Sequence, residues 1–246
     1  MCILIVLRGL HRDHPIVVAA NRDERLDRPA SPPGLFVGSR HRLLSPRDRR
    51  AGGTWLAIDA LGRFAGITNI AGLPPVAEAP SRGHLPHVAL DQPDLASAVA
   101  AVQARVESES YAGFQLVLCD GTQTVVLRHA RGRLERIDWK DEVLVVTNEH
   151  PPGALHLHGL AAAAAPALDV PSRLTQFEAL MKDTSGSDGH VVCKRGTEYG
   201  TVSSSLVAVP RDPLQLVWRY APGSPDATPY RNYGNLGRRL LPDGPD

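Results

Sequence analysis

The chain has 246 residues, of which 43% are hydrophobic and 22% are charged, and its formal net charge is +1. This composition is typical of a globular protein with one large domain and excludes an intrinsically disordered chain. The near-zero charge argues against nucleic acid or an anionic membrane as a partner, and no apolar run approaches the ~18 residues of a membrane span. Three widely spaced cysteines and an N-terminus without a signal-peptide pattern predict a cytoplasmic protein.

The N-terminal half is dominated by predicted strands. Branched aliphatic residues at 2–7 and 16–20 predict a hairpin of two buried strands. Residues 27–50 are rich in proline and arginine and have little periodicity, so they predict a long loop. Two further strands, 54–58 and 63–69, flank an Asp-Ala-Leu-Gly turn.

The C-terminal half adds two helices to further strands. Apolar residues at helical spacing predict helices over 94–109 and 172–181. Short hairpin connections between the strands favour an α+β fold with antiparallel sheets. We expect a single domain over residues 1–221, followed by a loosely docked, Pro/Gly-rich tail over 222–246. The strands predicted in this half are 114–118, 124–128, 134–137, 143–147, 201–209 and 214–220.

Cys2 is the residue that most directly indicates chemistry. Removal of an initiator methionine before a small residue would make Cys2 the mature N-terminus. That residue would then hold a thiol of pKa about 8.5 and an α-amine of pKa about 8, which is a nucleophile and a general base together. The structural alternative is a small buried residue at the start of a strand.

Polar residues at strand ends could complete a site around Cys2. The predicted first hairpin brings Arg22 and Asp23 beside Cys2. There Asp23 could orient the α-amine, while Arg22 could lower the thiol pKa or bind a substrate carboxylate. Asn69 and Asn148 each follow a threonine at a strand end, where a side-chain amide can donate to an oxyanion. The structural alternatives are a solvated polar turn and asparagines that simply end strands.

Several short motifs follow one another in an order that is specific, although each motif alone is common. From residue 1 to about residue 209 they are Met1-Cys2, Ala19-Ala20-Asn21-Arg22-Asp23-Glu24, Ala51-Gly52-Gly53-Thr54-Trp55-Leu56, Gly62-Arg63-Phe64-Ala65, Thr68-Asn69, Ser81-Arg82-Gly83, Gly113-Phe114, Thr147-Asn148 and Tyr199-Gly200-Thr201. This ordered set resembles the family named for its Asn-Arg-Asp-Glu motif, the transport and Golgi organisation protein 2 family.

The resemblance implies an N-terminal-nucleophile (Ntn) hydrolase fold, a four-layer αββα sandwich of two antiparallel sheets between helical layers. It also implies a Cys-Arg-Asp-Asn arrangement similar to that of bile-salt hydrolases and penicillin V acylases. By this analogy Cys2 is the nucleophile, its α-amine is the base and Asp23 orients that amine. Arg22 supports the thiolate, and Asn69 and Asn148 serve the oxyanion and the substrate. The same fold hosts several functions.

One position departs from the family pattern. The resemblance implies an arginine after Tyr-Gly-Thr, but this chain has Val202 there. If that arginine binds a substrate carboxylate, Arg82 and Arg195 are the candidates to replace it. Asn21, within the Asn-Arg-Asp-Glu motif, and Trp55, as a pocket wall, are the other candidate substrate-binding residues.

The sequence offers less support for a metal site or a nucleic-acid interface. The histidine pairs His84/His87 and His156/His158 lack a cysteine or carboxylate partner at a standard metal-binding spacing, so no metal site is predicted. If His156 and His158 lie on one strand they share a face, which leaves a weak metal or haem-iron reading. The arginines between 40 and 50 favour a solvated loop over a nucleic-acid interface.

Three functions follow from these observations. The first is a cysteine Ntn amidohydrolase that cleaves a linear, non-peptide amide C–N bond in a small molecule and needs no cofactor. The second, implied by the resemblance, is a carrier of haem or a hydrophobic metabolite in which Cys2 is a ligand or a relic. The third is an interaction module that retains the fold without chemistry. The small molecule is the expected partner in the first two, and the sequence is silent on oligomeric state.

Overall fold

The structure, a computed structural model, describes residues 2–154, 169–186 and 191–241. These residues contain strands of two antiparallel sheets. In chain order the strands are β1 (Ile3–Arg8), β2 (Ile16–Arg25), β3 (Ala30–Val37), β4 (Arg42–Asp48), β5 (Leu56–Asp59), β6 (Phe64–Asn69), β7 (Phe114–Cys119), β8 (Thr124–Ala130), β9 (Arg133–Trp139), β10 (Val143–Thr147), β11 (Tyr199–Val209), β12 (Val217–Ala221) and β13 (Arg231–Asn232).

The two sheets are formed by different parts of the chain. The first sheet has the order β10-β1-β2-β11-β12-β13, so segments from both ends of the chain meet in it. The second sheet has the order β3-β4-β5-β6-β7-β8-β9, a meander of neighbours in sequence. The α-helices are α1 (Leu85–Leu90), α2 (Leu95–Ser108) and α3 (Val170–Met181).

Three apolar clusters arrange these elements into four layers. Strand β1 shows why, because its residues are buried on both faces. Leu4 and Val6 pack into the core between the two sheets, whereas Ile3, Ile5 and Leu7 pack under α3. A third cluster joins the outer face of the second sheet to α1 and α2. The order helix, sheet, sheet, helix confirms the predicted αββα sandwich.

The predicted helices and most predicted strands agree with the structure. Helix α2 begins after Asp94, whose carboxylate accepts a hydrogen bond from the Ser97 N–H at 2.7 Å. Its buried face contains Ala98, Val99 and Val102, as expected from their helical spacing. No helix in the described part of the chain is long and apolar enough to cross a membrane.

The expectation of a long loop over residues 27–50 is wrong. This segment forms the hairpin β3–β4 at one edge of the second sheet. Pro32 and Pro33 fall where the register shifts between Ser31 and Gly34, a position at which the missing backbone donor of proline is tolerated. The segment lacks apolar alternation because β3 is an edge strand with several exposed positions.

The C-terminal segment is packed on the domain as far as the structure describes it, which corrects the expectation of a loosely docked tail. Strand β13 pairs with β12, and a short 3-10 helix, Gly234–Leu240, follows it. Leu240 is only 3% exposed and joins the core between the sheets. The domain therefore continues beyond residue 221.

Candidate active site

Cys2 lies at the entry to β1, between two neighbouring strands. The β1–β2 register pairs Ile3 with Asn21, which brings Cys2 alongside Arg22. On the other side the Asn148 N–H donates to the Cys2 carbonyl oxygen at 3.3 Å. The predicted hairpin thus brings Cys2 and the Asn-Arg-Asp-Glu motif together.

Cys2 opens onto a cavity of about 600 Å³. Both sheets contribute to its wall, and so does the segment that leads into α1. The lining combines charged and polar side chains with an indole ring and aliphatic groups. The lining residues are Cys2, Arg22, Asp23, Glu24, Arg28, Asp48, Ala51, Thr54, Trp55, Ile67, Asn69, Ala79, Pro80, Ser81, Arg82, Gly83 and Ala112.

Asp23 is held beside Cys2 by its neighbours on β11. The Thr201 hydroxyl donates to Asp23 Oδ1 at 2.7 Å and accepts from the Lys194 N–H at 2.9 Å. The Asp23 carbonyl oxygen accepts from the Tyr199 hydroxyl at 2.8 Å and from Cys2 Sγ at 3.7 Å. Asp23 is 3% exposed, and this burial raises the pKa of its carboxyl group to about 6.

In the chain that retains Met1, the Cys2 thiol is not a preformed thiolate. Burial, helped by the negative charge of Asp23, raises the pKa of Cys2 to about 11. Arg22 acts in the opposite direction, as the sequence suggests, but its effect is smaller than that of burial. A thiol in this position is protonated at neutral pH and needs a base to become a nucleophile.

Arg22 is fixed by Asp48, which sequence reasoning missed. Arg22 Nη2 donates to Asp48 Oδ2 at 3.1 Å, and the guanidinium stacks 4.5 Å from the centre of the Trp55 ring. The same Asp48 oxygen accepts from Arg28 Nε at 2.6 Å. Burial opposes ionisation of Asp48, but hydrogen bonds from the Ala51 N–H and other donors keep its pKa below the usual value.

The two predicted asparagines occupy different places around Cys2. Asn69 ends β6 and lines the cavity from the second sheet. Asn148 follows β10 and contacts Cys2 through its backbone. Its side-chain oxygen is buried without a hydrogen-bond partner in the described residues.

The four predicted substrate-binding residues are also separated. Trp55 and Arg82 line the cavity. Asn21 points the other way, because its amide donates to the carbonyl oxygens of Met181 and Val192, each at 2.9 Å, and so ties β2 to the end of α3. Arg195 is outside the cavity and forms an ion pair with Asp226.

Two site residues were not predicted, for different reasons. Thr201 lies in the Tyr-Gly-Thr motif, so a signal for it was present in the sequence. Asp48 lies in the segment expected to be a loop, and only the pairing of β4 with its neighbours brings it to Arg22. No local pattern marks Asp48.

Histidines do not form a metal centre in the described residues. His87 stacks on Phe36 with ring centroids 4.0 Å apart, and its Nε2 lies 3.0 Å from the Ser45 hydroxyl oxygen. No group of three or more potential metal-binding side chains occurs in residues 2–154, 169–186 and 191–241. The pair His156/His158 lies outside the described residues.

Solved structures with this fold include known hydrolases. A conjugated bile acid hydrolase variant from Clostridium perfringens matches with a TM-score of 0.52 at 10% identity, covering 94% of this chain and 96% of that chain. An N-acylethanolamine-hydrolyzing acid amidase ortholog from Caenorhabditis elegans matches with a TM-score of 0.51 at 12% identity, covering 84% of this chain and 92% of that chain. At these identities the likeness shows an Ntn-hydrolase-like fold.

Sequence comparison identifies the family. The Bos taurus transport and Golgi organization protein 2 homolog is 35% identical over 108 residues, which cover 43% of this chain and 38% of that protein. The Mus musculus homolog is 34% identical over 111 residues, with the same two coverages. The alignments thus span well under half the length of these relatives. The family model described as Transport and Golgi organisation 2 matches residues 1–159. The chain therefore belongs to the transport and Golgi organisation 2 family.

Proposed function

We propose that the protein is a cysteine Ntn amidohydrolase that cleaves a non-peptide amide of a small molecule. The observation that carries this proposal is the position of Cys2 at the entry to β1, in contact with Asp23 and opening onto a cavity of about 600 Å³. A cavity of this size accommodates a small molecule. The names of the structural neighbours, a conjugated bile acid hydrolase and an acid amidase, agree with amide hydrolysis.

The raised thiol pKa determines what the base must do. A protonated thiol needs a base close to sulfur, and removal of Met1 would supply one as the α-amine of Cys2 itself. Asp23 is close enough to contact the Cys2 thiol through its carbonyl oxygen, and its carboxylate would orient the amine. The amine and the thiol would then act as a pair.

The reaction proceeds in two halves. In the first, the α-amine accepts the thiol proton, sulfur attacks the amide carbon, and the proton passes to the leaving nitrogen as the C–N bond breaks. In the second, water attacks the thioester carbon, its proton passes through the amine to sulfur, and the acid is released. Asn69 from the cavity wall and Asn148 beside Cys2 are the candidate donors to the carbonyl oxygen in both halves.

Intact mass spectrometry tests the proposal. We expect purified protein to lack Met1 and to form one acyl adduct on Cys2 when treated with p-nitrophenyl butyrate. Cys2→Ala should abolish the adduct, whereas the matched variant Cys119→Ala should keep it, since Cys119 is buried in the core away from the cavity. Retained Met1, or acylation that persists in Cys2→Ala, would contradict the proposal.

We retain a second candidate, the carrier of haem or a hydrophobic metabolite that the family resemblance implies. In that case the cavity binds its ligand without cleaving it. A haem titration followed by absorbance would then saturate at a defined ratio, and Cys2→Ala would change the spectrum or the affinity. Unsaturable binding that an unrelated apolar protein reproduces would contradict this candidate.

A further inference from the structure

The charged groups of the Cys2 cavity are unequally compensated. Arg22 and Arg28 form ion pairs with the same oxygen, Asp48 Oδ2, which lies 3.1 Å from Arg22 Nη2 and 2.6 Å from Arg28 Nε. Arg28 Nη1 also lies 3.5 Å from Glu24 Oε2. Arg82 has no carboxylate within ion-pair distance among the described residues. Arg82 Nη1 instead donates to a neutral group, the Gly113 carbonyl oxygen, at 2.8 Å. One cation in the wall therefore lacks an anion.

The backbone under Arg82 is fixed by two glycines. The Thr54 N–H donates to the Gly83 carbonyl oxygen at 2.8 Å, which joins the segment of Arg82 to the strand entry that carries Trp55. A Cβ atom on Gly53 would lie 2.4 Å from the Gly83 carbonyl carbon, so this approach requires glycine. Arg82 is thus held at a set position relative to the rest of the wall.

The surroundings of Arg82 favour an anionic ligand. Burial lowers the pKa of Arg82, and the nearby cation of Arg28 lowers it further. The negative charge of Glu24 acts in the opposite direction but does not offset these effects. A partly desolvated cation next to another cation is stabilised when an anion binds. A guanidinium suits a carboxylate because it donates two parallel hydrogen bonds.

We propose that Arg82 recognises an anionic group of the substrate, so that the enzyme acts on small amides that carry a carboxylate or a similar anion. This inference rests on the proposed hydrolase function and narrows its substrate class. It also separates the two arginines considered from the sequence, because Arg195 is paired with Asp226 outside the cavity. The apolar lining side chains of Trp55, Ile67 and Pro80 would contact the uncharged remainder of the molecule.

Alkylation of Cys2 by iodoacetate and by iodoacetamide tests the charge preference without any substrate. The two reagents are similar in size and differ in charge. We measure the rate of alkylation of Cys2 by iodoacetate divided by its rate with iodoacetamide, using peptide mass mapping at one mildly alkaline pH. We expect this ratio to fall about three- to tenfold in Arg82→Gln. Arg82→Lys should keep most of the ratio, since it retains the charge.

The matched control is Arg136→Gln, which removes one positive charge from the surface of β9. An unchanged ratio in Arg82→Gln, or an equal fall in Arg136→Gln, would overturn the inference. If Arg82→Gln folds poorly, Arg82→Met replaces it in the same alkylation measurement, because methionine keeps an apolar stem and removes the charge.

A pair of anilides carries the test to catalysis. The kcat/KM for glutaryl-p-nitroanilide relative to its neutral butyryl counterpart should exceed one and should fall in Arg82→Gln and, less strongly, in Arg82→Lys. A ratio that neither variant changes would overturn the inference. Because alkylation needs only the thiol, its outcome does not depend on turnover, whereas failure of the hydrolase function would be seen as acylation that survives Cys2→Ala.

Discussion

Asp23 combines a cost in stability with a role in the proposed reaction. Its carboxyl pKa is about 6 in the folded protein, against an ordinary value of 3.8, because the group is buried. At a pH between 3.8 and about 6, the Asp23 carboxyl group is therefore protonated in the folded state and ionised in the unfolded state. The stability contributed by this group is fully present below about pH 4 and is lost as the pH rises through about 6.

Asp23→Asn should remove this loss. We expect the free energy of unfolding to increase by about 1–3 kcal/mol at about pH 7.5 and to change little at about pH 4. The asparagine oxygen can still accept from the Thr201 hydroxyl, so the local hydrogen bond remains. Urea denaturation at the two pH values measures the difference.

The same substitution should slow acylation of Cys2 by p-nitrophenyl butyrate about tenfold or more at neutral pH, because a neutral side chain orients the amine less well. In the wild type the acylation rate should rise with pH through about 6 as Asp23 ionises, and should continue to rise through about 8 as the α-amine of Cys2 loses its proton. A variant that is less stable at neutral pH, or that acylates at the wild-type rate, would contradict this assignment. If Asp23 is kept for function, its replacement should give a variant that is more stable but less reactive than the wild type.

At the scale of elements, the contact between two glycine-containing segments positions one wall of the site. The Gly53 and Gly83 backbones touch, and no side chain fits between them. We expect Gly53→Ala to lower the free energy of unfolding by about 2 kcal/mol or more, since the obstructing atoms are backbone and cannot move aside cheaply. It should also reduce the iodoacetate preference of Cys2 by displacing Arg82.

Gly34→Ala is the matched control for this prediction. Gly34 lies in the edge strand β3, and a Cβ atom there meets nothing within 4 Å. Its free energy of unfolding should change by less than about 0.5 kcal/mol. Equal effects of the two alanines in urea denaturation would show that the contact is not required.

Some secondary-structure elements could be predicted from the sequence and others could not. Strand β1 and helix α2 were predictable because local apolar spacing reports burial, and Cys2 and Asp23 because one short hairpin joins them. The hairpin β3–β4 was not, since an edge strand with prolines carries no such spacing. The position of Asp48 depends on that hairpin, so the anchor of Arg22 was missed together with it.

At the scale of the whole molecule, the C-terminal segment closes the core between the sheets. Leu240→Ala should lower the free energy of unfolding by about 2–4 kcal/mol, because it leaves a cavity at a position that is 3% exposed. Leu214→Ala, at a position 62% exposed on another 3-10 helix, should change it by less than about 0.5 kcal/mol. Urea denaturation measures both, and a loss in Leu240→Ala as small as that expected for Leu214→Ala would mean that the segment does not contribute to folding stability.

The protonated state of the Cys2 thiol has a consequence for the life of the protein under oxidative stress. Peroxides react with thiolates to give sulfenic acid and then irreversible oxyacids. A cysteine whose pKa is about 11 holds almost no thiolate at neutral pH. In the proposed reaction, such a thiol becomes reactive only while the α-amine accepts its proton and sulfur attacks a bound carbonyl carbon. In the proposed mechanism, the burial that keeps the Cys2 thiol protonated would thereby protect it from the oxidants that inactivate enzymes with permanently ionised cysteines.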